Sequence, residues 1–150
     1  MSAQPPRIGA RLEADHRELD ELWERFQNVP ASDGPTRRER FAGFRSHLLR
    51  HIAVEEERLF PRLEEDAPRH RALVARLREE HREIEALLER IDRALVERSE
   101  RANDLGVELI NVLGEHNARE EGSAYPWLNE HFDPDEARSI EQRLSETLPE

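Results

Sequence analysis

Cysteine is absent from this chain, which removes disulfides, thiolate catalysis and cysteine-ligated zinc or iron–sulfur sites. Glycine is scarce, at six residues in 150, and aromatics make up only 5%. Arg, Glu, Leu and Ala dominate instead, a composition of long solvated helices rather than of sheets. No apolar run approaches the roughly 18 residues a membrane helix needs. Residues 1–16 lack the apolar core of a secretory signal. The expectation is therefore a cytoplasmic chain with no membrane contact. Positive charge is short as well: 34 acidic against 23 basic residues give a net charge of −11. With no long basic run, a nucleic-acid partner is excluded.

What is present is helical periodicity. Ile8, Leu12, Leu19, Leu22, Trp23 and Phe26 form a first stripe. Asn28-Val29-Pro30 and Ser32-Asp33-Gly34-Pro35 then break the chain, with Asp33 or Ser32 as the cap and Pro35 in the first turn of a second helix. That helix carries Phe41, Phe44, Leu48, Ile52 and Leu59, and Pro61 is expected to bend or end it. After Asp66 and Pro68 a third helix holds Leu73, Val74, Leu77, Ile84, Leu87, Leu88, Ile91 and Leu95. A fourth takes Leu105, Leu109, Val112 and Leu113 toward Pro126, and Asp133-Pro134 opens a short fifth through Ile140 and Leu144. The fold class that follows is all-α, an antiparallel up-and-down four-helix bundle with a short C-terminal fifth helix. Residues 1–150 read as one domain, with the core bundle over 8–130 and the last helix over 134–147. A bundle by itself implies no function.

The function lies in an internal repeat. Leu12-Glu-Ala-Asp-His16-Arg-Glu-Leu-Asp-Glu-Leu22 aligns with Leu77-Arg-Glu-Glu-His81-Arg-Glu-Ile-Glu-Ala-Leu87. At the same offset of 65 positions His51 meets His116, Glu55 meets Glu120, and Phe60-Pro-Arg-Leu63 meets Tyr125-Pro-Trp-Leu128. Two helical hairpins are implied, each giving one histidine from its first helix and His-x-x-x-Glu from its second. Residues i and i+4 share a helix face about 6 Å apart along the axis. Such a His and Glu can reach one site together. Two pairs facing across a bundle, with one further His from each remaining helix, bring six donors to the interior. Imidazole and carboxylate suit iron or manganese, and two shared carboxylates suit a pair of ions roughly 3.5–4 Å apart. Without metal, two carboxylates and four imidazoles would be buried together, each uncompensated charge costing on the order of several kcal/mol.

His16, His51-x-x-x-Glu55, His81 and His116-x-x-x-Glu120 resemble, in order, the H…HxxxE…H…HxxxE signature of hemerythrin-like (HHE cation-binding) domains over roughly residues 10–130. Ferritin-type bundles place the carboxylate first, as Glu-x-x-His. The resemblance implies two iron ions joined by an oxo or hydroxo bridge, with manganese or zinc able to use the same donors. It implies that Glu55 and Glu120 bridge the ions, that His16 and His51 are terminal on one, and that His81 and His116 are terminal on the other. Oxygen-carrying hemerythrins have a further histidine one turn before the third-helix ligand, where this chain has Leu77, and end on His-x-x-x-x-Asp rather than His116-x-x-x-Glu120. His47, one turn before His51, stands as a possible extra donor.

The function expected is binding of dioxygen or a related small ligand for sensing, storage or scavenging, with Leu19, Leu48, Ile84 and Leu113 as the lining of the small-ligand pocket. The alternatives are a di-iron enzyme handling peroxide or nitric oxide and an iron- or oxygen-responsive regulatory module. A protein partner is not indicated. His70 and His131 sit at helix breaks and read as exposed. Asp15, Glu80, Glu56 and Glu121 read as solvated faces, with support of a ligating ring as the other option. Trp23, Phe44, Phe60 and Tyr125 read as core or hairpin-end packing, with a redox or hydrogen-bonding role near iron as the other option for Tyr125, and the arginine-rich stretches 37–45 and 76–101 as ion-paired outer faces.

Overall fold

The hydrophobic stripes do close into helices. The computed structural model describes residues 7–66 and 68–146. Helix α1 spans Ile8–Gln27. The second rod is α2 (Gly34–Val54), a π-helical turn (Glu55–Leu59) and α3 (Phe60–Asp66). Helix α4 spans His70–Val96, and the fourth rod is α5 (Arg101–Arg119), a second π turn (Glu120–Ala124) and α6 (Tyr125–His131). Helix α7, Pro134–Ser145, is the fifth rod. No strand occurs among the described residues. Residues 1–6 and Thr147, the last position assigned above to the closing helix, lie outside them.

The expected caps operate. Thr36 N–H donates to Asp33 Oδ1 over 3.3 Å, with Pro35 in the first turn of α2. Glu136 N–H donates to Asp133 Oδ1 over 2.8 Å and starts α7. Between α4 and α5 the chain turns through Arg98, whose φ of 56° is left-handed, and Ser99 N–H donates back to Ala94 O at 2.8 Å. That is a helix-ending motif in which glycine is the usual residue.

Of the two expectations for Pro61, the ending does not occur: the rod continues to Asp66, with a π turn directly ahead of the proline. A proline removes an N–H and presses on the carbonyl four residues back. The π turn absorbs both effects, since Phe60 N–H donates to Glu55 O, one residue further back than in an α-helix. The second hairpin repeats the device, with Tyr125 N–H on Glu120 O ahead of Pro126.

Helices α1 and α2 form one hairpin and α4 and α5 the other, with α2 against α4 and α1 against α6. Two separate apolar clusters fill the bundle. One contains Leu19, Trp23, Phe26, Phe41, Phe44, Leu48, Ile84, Ile91, Leu109 and Leu113. The other contains Leu12, Leu59, Phe60, Leu63, Leu77, Tyr125 and Leu128, closed by Ile140 and Leu144 of α7. Arg143 of α7 reaches Glu57 at 2.9 Å and Arg58 reaches Ser139 at 3.1 Å, tying that helix to the second rod. Between the two clusters lies a polar layer.

Candidate metal centre

The polar layer gathers all six donors expected from the repeat. His16, His51, His81 and His116 are at most 5% exposed, and Glu55 and Glu120 are fully enclosed. Helix α1 supplies His16, α2 supplies His51, α4 supplies His81 and α5 supplies His116. Each glutamate opens a π turn. Within each hairpin the two rings present Nε2 to one another: His16 to His51 at 3.2 Å and His81 to His116 at 3.1 Å. Glu55 spans the hairpins, with Oε1 at 3.1 Å from His81 Nε2 and Oε2 at 3.4 Å from His51 Nε2. Glu120 spans them through one oxygen, Oε1 being 3.3 Å from both His16 Nε2 and His116 Nε2. Two metal-capable groups result, Glu55-His81-His116-Glu120 and His16-His51-Glu120.

A second ring of carboxylates faces the outer nitrogens. His51 Nδ1–H donates to Asp15 Oδ2 at 2.7 Å, and His116 Nδ1–H to Glu80 Oε1 at 3.0 Å. His81 Nδ1–H donates to Glu56 Oε1 at 2.9 Å, while Glu121 Oε1 lies 3.7 Å from His16 Nδ1. The solvated-face reading is corrected for Asp15, which is 1% exposed, and for Glu80, which is largely covered, while Glu56 and Glu121 keep partly solvated side chains and still stand behind a histidine, the other option given for them. The pattern obeys the repeat. The acid before each first-helix histidine serves the second helix of its own hairpin, and the acid after each central glutamate serves the opposite hairpin.

His47 is placed differently from a seventh donor. Its Nε2–H donates to Asp15 Oδ1 at 2.7 Å, and Arg50 donates to its Nδ1 at 3.2 Å. Both ring nitrogens are thereby used one layer outside the centre, the placement of a hydrogen-bonded histidine rather than of the possible extra donor. His131 is exposed as expected, stacked on Trp127 at 4.0 Å, whereas His70 is half-buried against the same indole at 5.6 Å. Leu19, Leu48, Ile84 and Leu113 are buried in one cluster, each three residues from a central histidine.

Tyr125, read first as packing, takes the other option the sequence left for it: its ring is in the core and its hydroxyl reaches the donor layer, donating to Glu55 Oε2 at 2.9 Å. Glu120 Oε1 and His16 Nε2 lie 3.1 Å away and His51 Nε2 3.3 Å away. Its repeat partner Phe60 stacks on His81 with ring centroids 5.3 Å apart and brings no polar atom. The available signal was the repeat itself, where an aromatic follows each central glutamate by five positions.

Charge organises the layer. Burial opposes a charged Glu55, but the His51 charge and hydrogen bonds from the surrounding rings outweigh it and hold the carboxyl well below its usual range. Burial likewise opposes protonation of His116, yet the Glu120 charge and hydrogen bond, with Glu55 behind them, push it up to about 9. His51 rises well above its ordinary value against the same burial, through the charge of Glu55 and the bond to Asp15. Asp15 is held far below the carboxylate range: burial is overcome by its bonds to His47 and His51. Burial and the two central carboxylates drive the Tyr125 phenol well above its ordinary value. In the absence of metal the layer therefore clings to protons in place of cations.

Three observations show that these residues fit metal ions. Donors about 2.1 Å from an ion and at right angles to one another lie about 3.0 Å apart; neighbours here lie 3.1–3.4 Å apart. With Nδ1–H committed to carboxylates, neutral His51, His81 and His116 present bare Nε2 lone pairs, an arrangement that asks for a cation. Glu120 Oε2 and His16 Nδ1 are buried without a hydrogen-bond partner, a loss on the order of 1–3 kcal/mol for each such group unless an ion or other partner compensates.

A model of the hemerythrin HHE cation-binding domain matches residues 7–128. Neither a curated protein nor a solved structure gave a match. No helix of the described residues is long and apolar enough to cross a membrane. The matched stretch runs from the start of α1 into α6 and holds all six central donors, and on that match the chain belongs to the hemerythrin HHE cation-binding domain family.

Proposed function

We propose that the chain is a di-iron protein of hemerythrin type, binding dioxygen or a related small ligand for sensing, storage or scavenging. In this reading His16 and His51 hold one ion, His81 and His116 hold the other, and Glu55 and Glu120 span both. The observation that carries it is the sharing of both central carboxylates between two imidazole pairs. Six carboxylates, Glu55, Glu120, Asp15, Glu56, Glu80 and Glu121, surround four imidazoles, so two divalent cations offset most of a local negative excess. When bound, a carboxylate-bridged iron pair supplies two exchangeable electrons and an open position for a small ligand.

The protein's share is orientation, dryness and proton control. Asp15, Glu56 and Glu80 fix three rings by their outer N–H, which aims the inner nitrogens at the centre. Leu19, Leu48, Ile84 and Leu113 cover one side of the layer, and Leu12, Leu59, Leu77 and Ala124 the other. Those hydrocarbons keep water from the layer. In the metal-free chain the Tyr125 hydroxyl holds a proton against Glu55.

Protein produced with added iron and analysed for metal content tests the reading. The expected result is about two irons per chain, as a shared-carboxylate pair requires, with a visible absorption that changes when the reduced protein meets oxygen. A folded chain that takes up no iron overturns it.

A further inference from the structure

The two halves repeat in their six central donors but not in the atom that follows them. In the second hairpin the position five residues after the glutamate carries an oxygen, Tyr125 Oη; in the first it carries the plain ring of Phe60. The π turn at Glu120–Ala124 delivers that oxygen to the centre. Its neighbours are Glu55 Oε2 at 2.9 Å, Glu120 Oε1 and His16 Nε2 at 3.1 Å, and His51 Nε2 at 3.3 Å. Those four atoms also neighbour one another, with His16 to His51 at 3.2 Å, His16 to Glu120 at 3.3 Å and His51 to Glu55 at 3.4 Å. The phenol oxygen thus meets the spacing test that the imidazoles and carboxylates meet, about 3.0 Å between adjacent donors of one ion. A tyrosine that only packed would have no reason to touch His16, His51 and Glu120, the three donors of one metal-capable group, and Glu55 of the other. On the other side the inner nitrogens of His81 and His116 face one another and the carboxylates of Glu55 and Glu120, with no phenol oxygen among them, and Phe60 lies flat on His81.

We propose that Tyr125 is a further metal donor, binding through Oη the ion held by His16 and His51, so that one ion is phenolate-ligated and the other is not. This rests on the di-iron reading above. Binding is a substitution with no electron transferred: the Tyr125 O–H bond breaks, an oxygen–metal bond forms, and the proton leaves to water. The two positions then differ in donor charge. The phenolate side favours the more highly charged ion, and the Phe60 side is left with one donor fewer and is the more open to an incoming ligand.

The test uses the full chain loaded with iron(III), compared with Tyr125→Phe. Phenolate bound to iron(III) gives a visible charge-transfer band, and excitation in that band enhances tyrosine ring modes in the Raman spectrum. The expected result is both features in the natural chain, with both lost completely in Tyr125→Phe while iron content stays unchanged. Phe60 shows that the fold houses a phenyl ring at the equivalent place. Should the variant fail to fold, the Raman spectrum of the natural chain decides alone. Iron at full content without tyrosine modes overturns the proposal and leaves the di-iron reading standing; no iron in the natural chain overturns both.

Discussion

Asp15 reaches past its neighbour His16 to accept the Nδ1–H of His51 at 2.7 Å, so that a single carboxylate joins α1 to α2 directly behind the metal layer. Its other oxygen takes His47 at 2.7 Å. Glu80 makes the same cross-helix contact to His116 in the second hairpin, but it is backed by Arg119 at 3.0 Å.

Asp15→Asn keeps the shape and removes the charge. Outer partners of ligating histidines typically contribute about 10- to 100-fold in metal affinity. We expect a loss in that range for Asp15→Asn, and a smaller one for Glu80→Gln, whose carboxylate is less enclosed and already neutralised by Arg119. Competition against a chelator of known affinity measures both. Equal, unchanged affinities would remove the outer carboxylates from the argument.

Glu55→Gln and Glu120→Gln each turn a shared acceptor partly into a donor aimed at imidazole nitrogen. Metal content should fall from about two ions per chain to one or fewer in either variant, because a paired site needs both shared carboxylates. Elemental analysis of protein shown by circular dichroism to be folded provides the check. Retention of the full complement would contradict the bridging role.

The raised proton affinity of His116 sets opposite pH trends for metal binding and for metal-free stability. A cation must displace the proton that His116 holds below about 9. Apparent metal affinity should therefore climb about tenfold per pH unit for each proton released, levelling near that value. In the metal-free chain the folded form binds this proton more tightly than the unfolded form does. Its stabilisation is complete below the unfolded value of 6.5 and is lost as pH rises through about 9. Calorimetric titration and thermal melts at pH 6.5 and 9 report the two slopes, and slopes of the same sign would be the wrong result.

Backbone positions away from the centre make a stability test. Arg98 adopts φ 56°, which costs an L-residue roughly 1–2 kcal/mol relative to glycine; Arg98→Gly should recover about 1 kcal/mol of that. Gly114→Ala, with open space around the new methyl group, should add about 0.5–1 kcal/mol from helix propensity. Gly106→Ala places Cβ 3.1 Å from the Trp23 ring, and that crowding should cancel the gain or reverse it. Urea midpoints of the three variants rank them.

The central donors were legible because the α-helix runs unbroken from each second-helix histidine up to its glutamate, where the π turn begins. His51 to Glu55 and His116 to Glu120 are four residues apart, and the 65-position repeat placed both pairs on matching faces. Tyr125 was not legible by the same counting. Five α-helical residues from Glu120 point about 140° away, and only the π turn, which no hydrophobic pattern announces, brings the phenol back. The choice between a bend and an end at Pro61 was hidden for the same reason: it sits beside a wide turn that lets the rod continue. Asp15, Glu56, Glu80 and His47 depended on how the rods lie against one another, and periodicity along a single rod carries no such information. Their repeat partners still behaved alike once the hairpins were docked, except where Val112 faces the place of His47.

The two hydrocarbon layers that flank the donors have an electrical consequence. In so poorly screened a compartment, opposite charges attract far more strongly than they do in water, and a net imbalance is costly to sustain. An ion added to the middle of the bundle would therefore have to be balanced there by loss of protons, and the partly exposed Glu56 and Glu121, not the leucines, are the polar groups that join the donor layer to solvent.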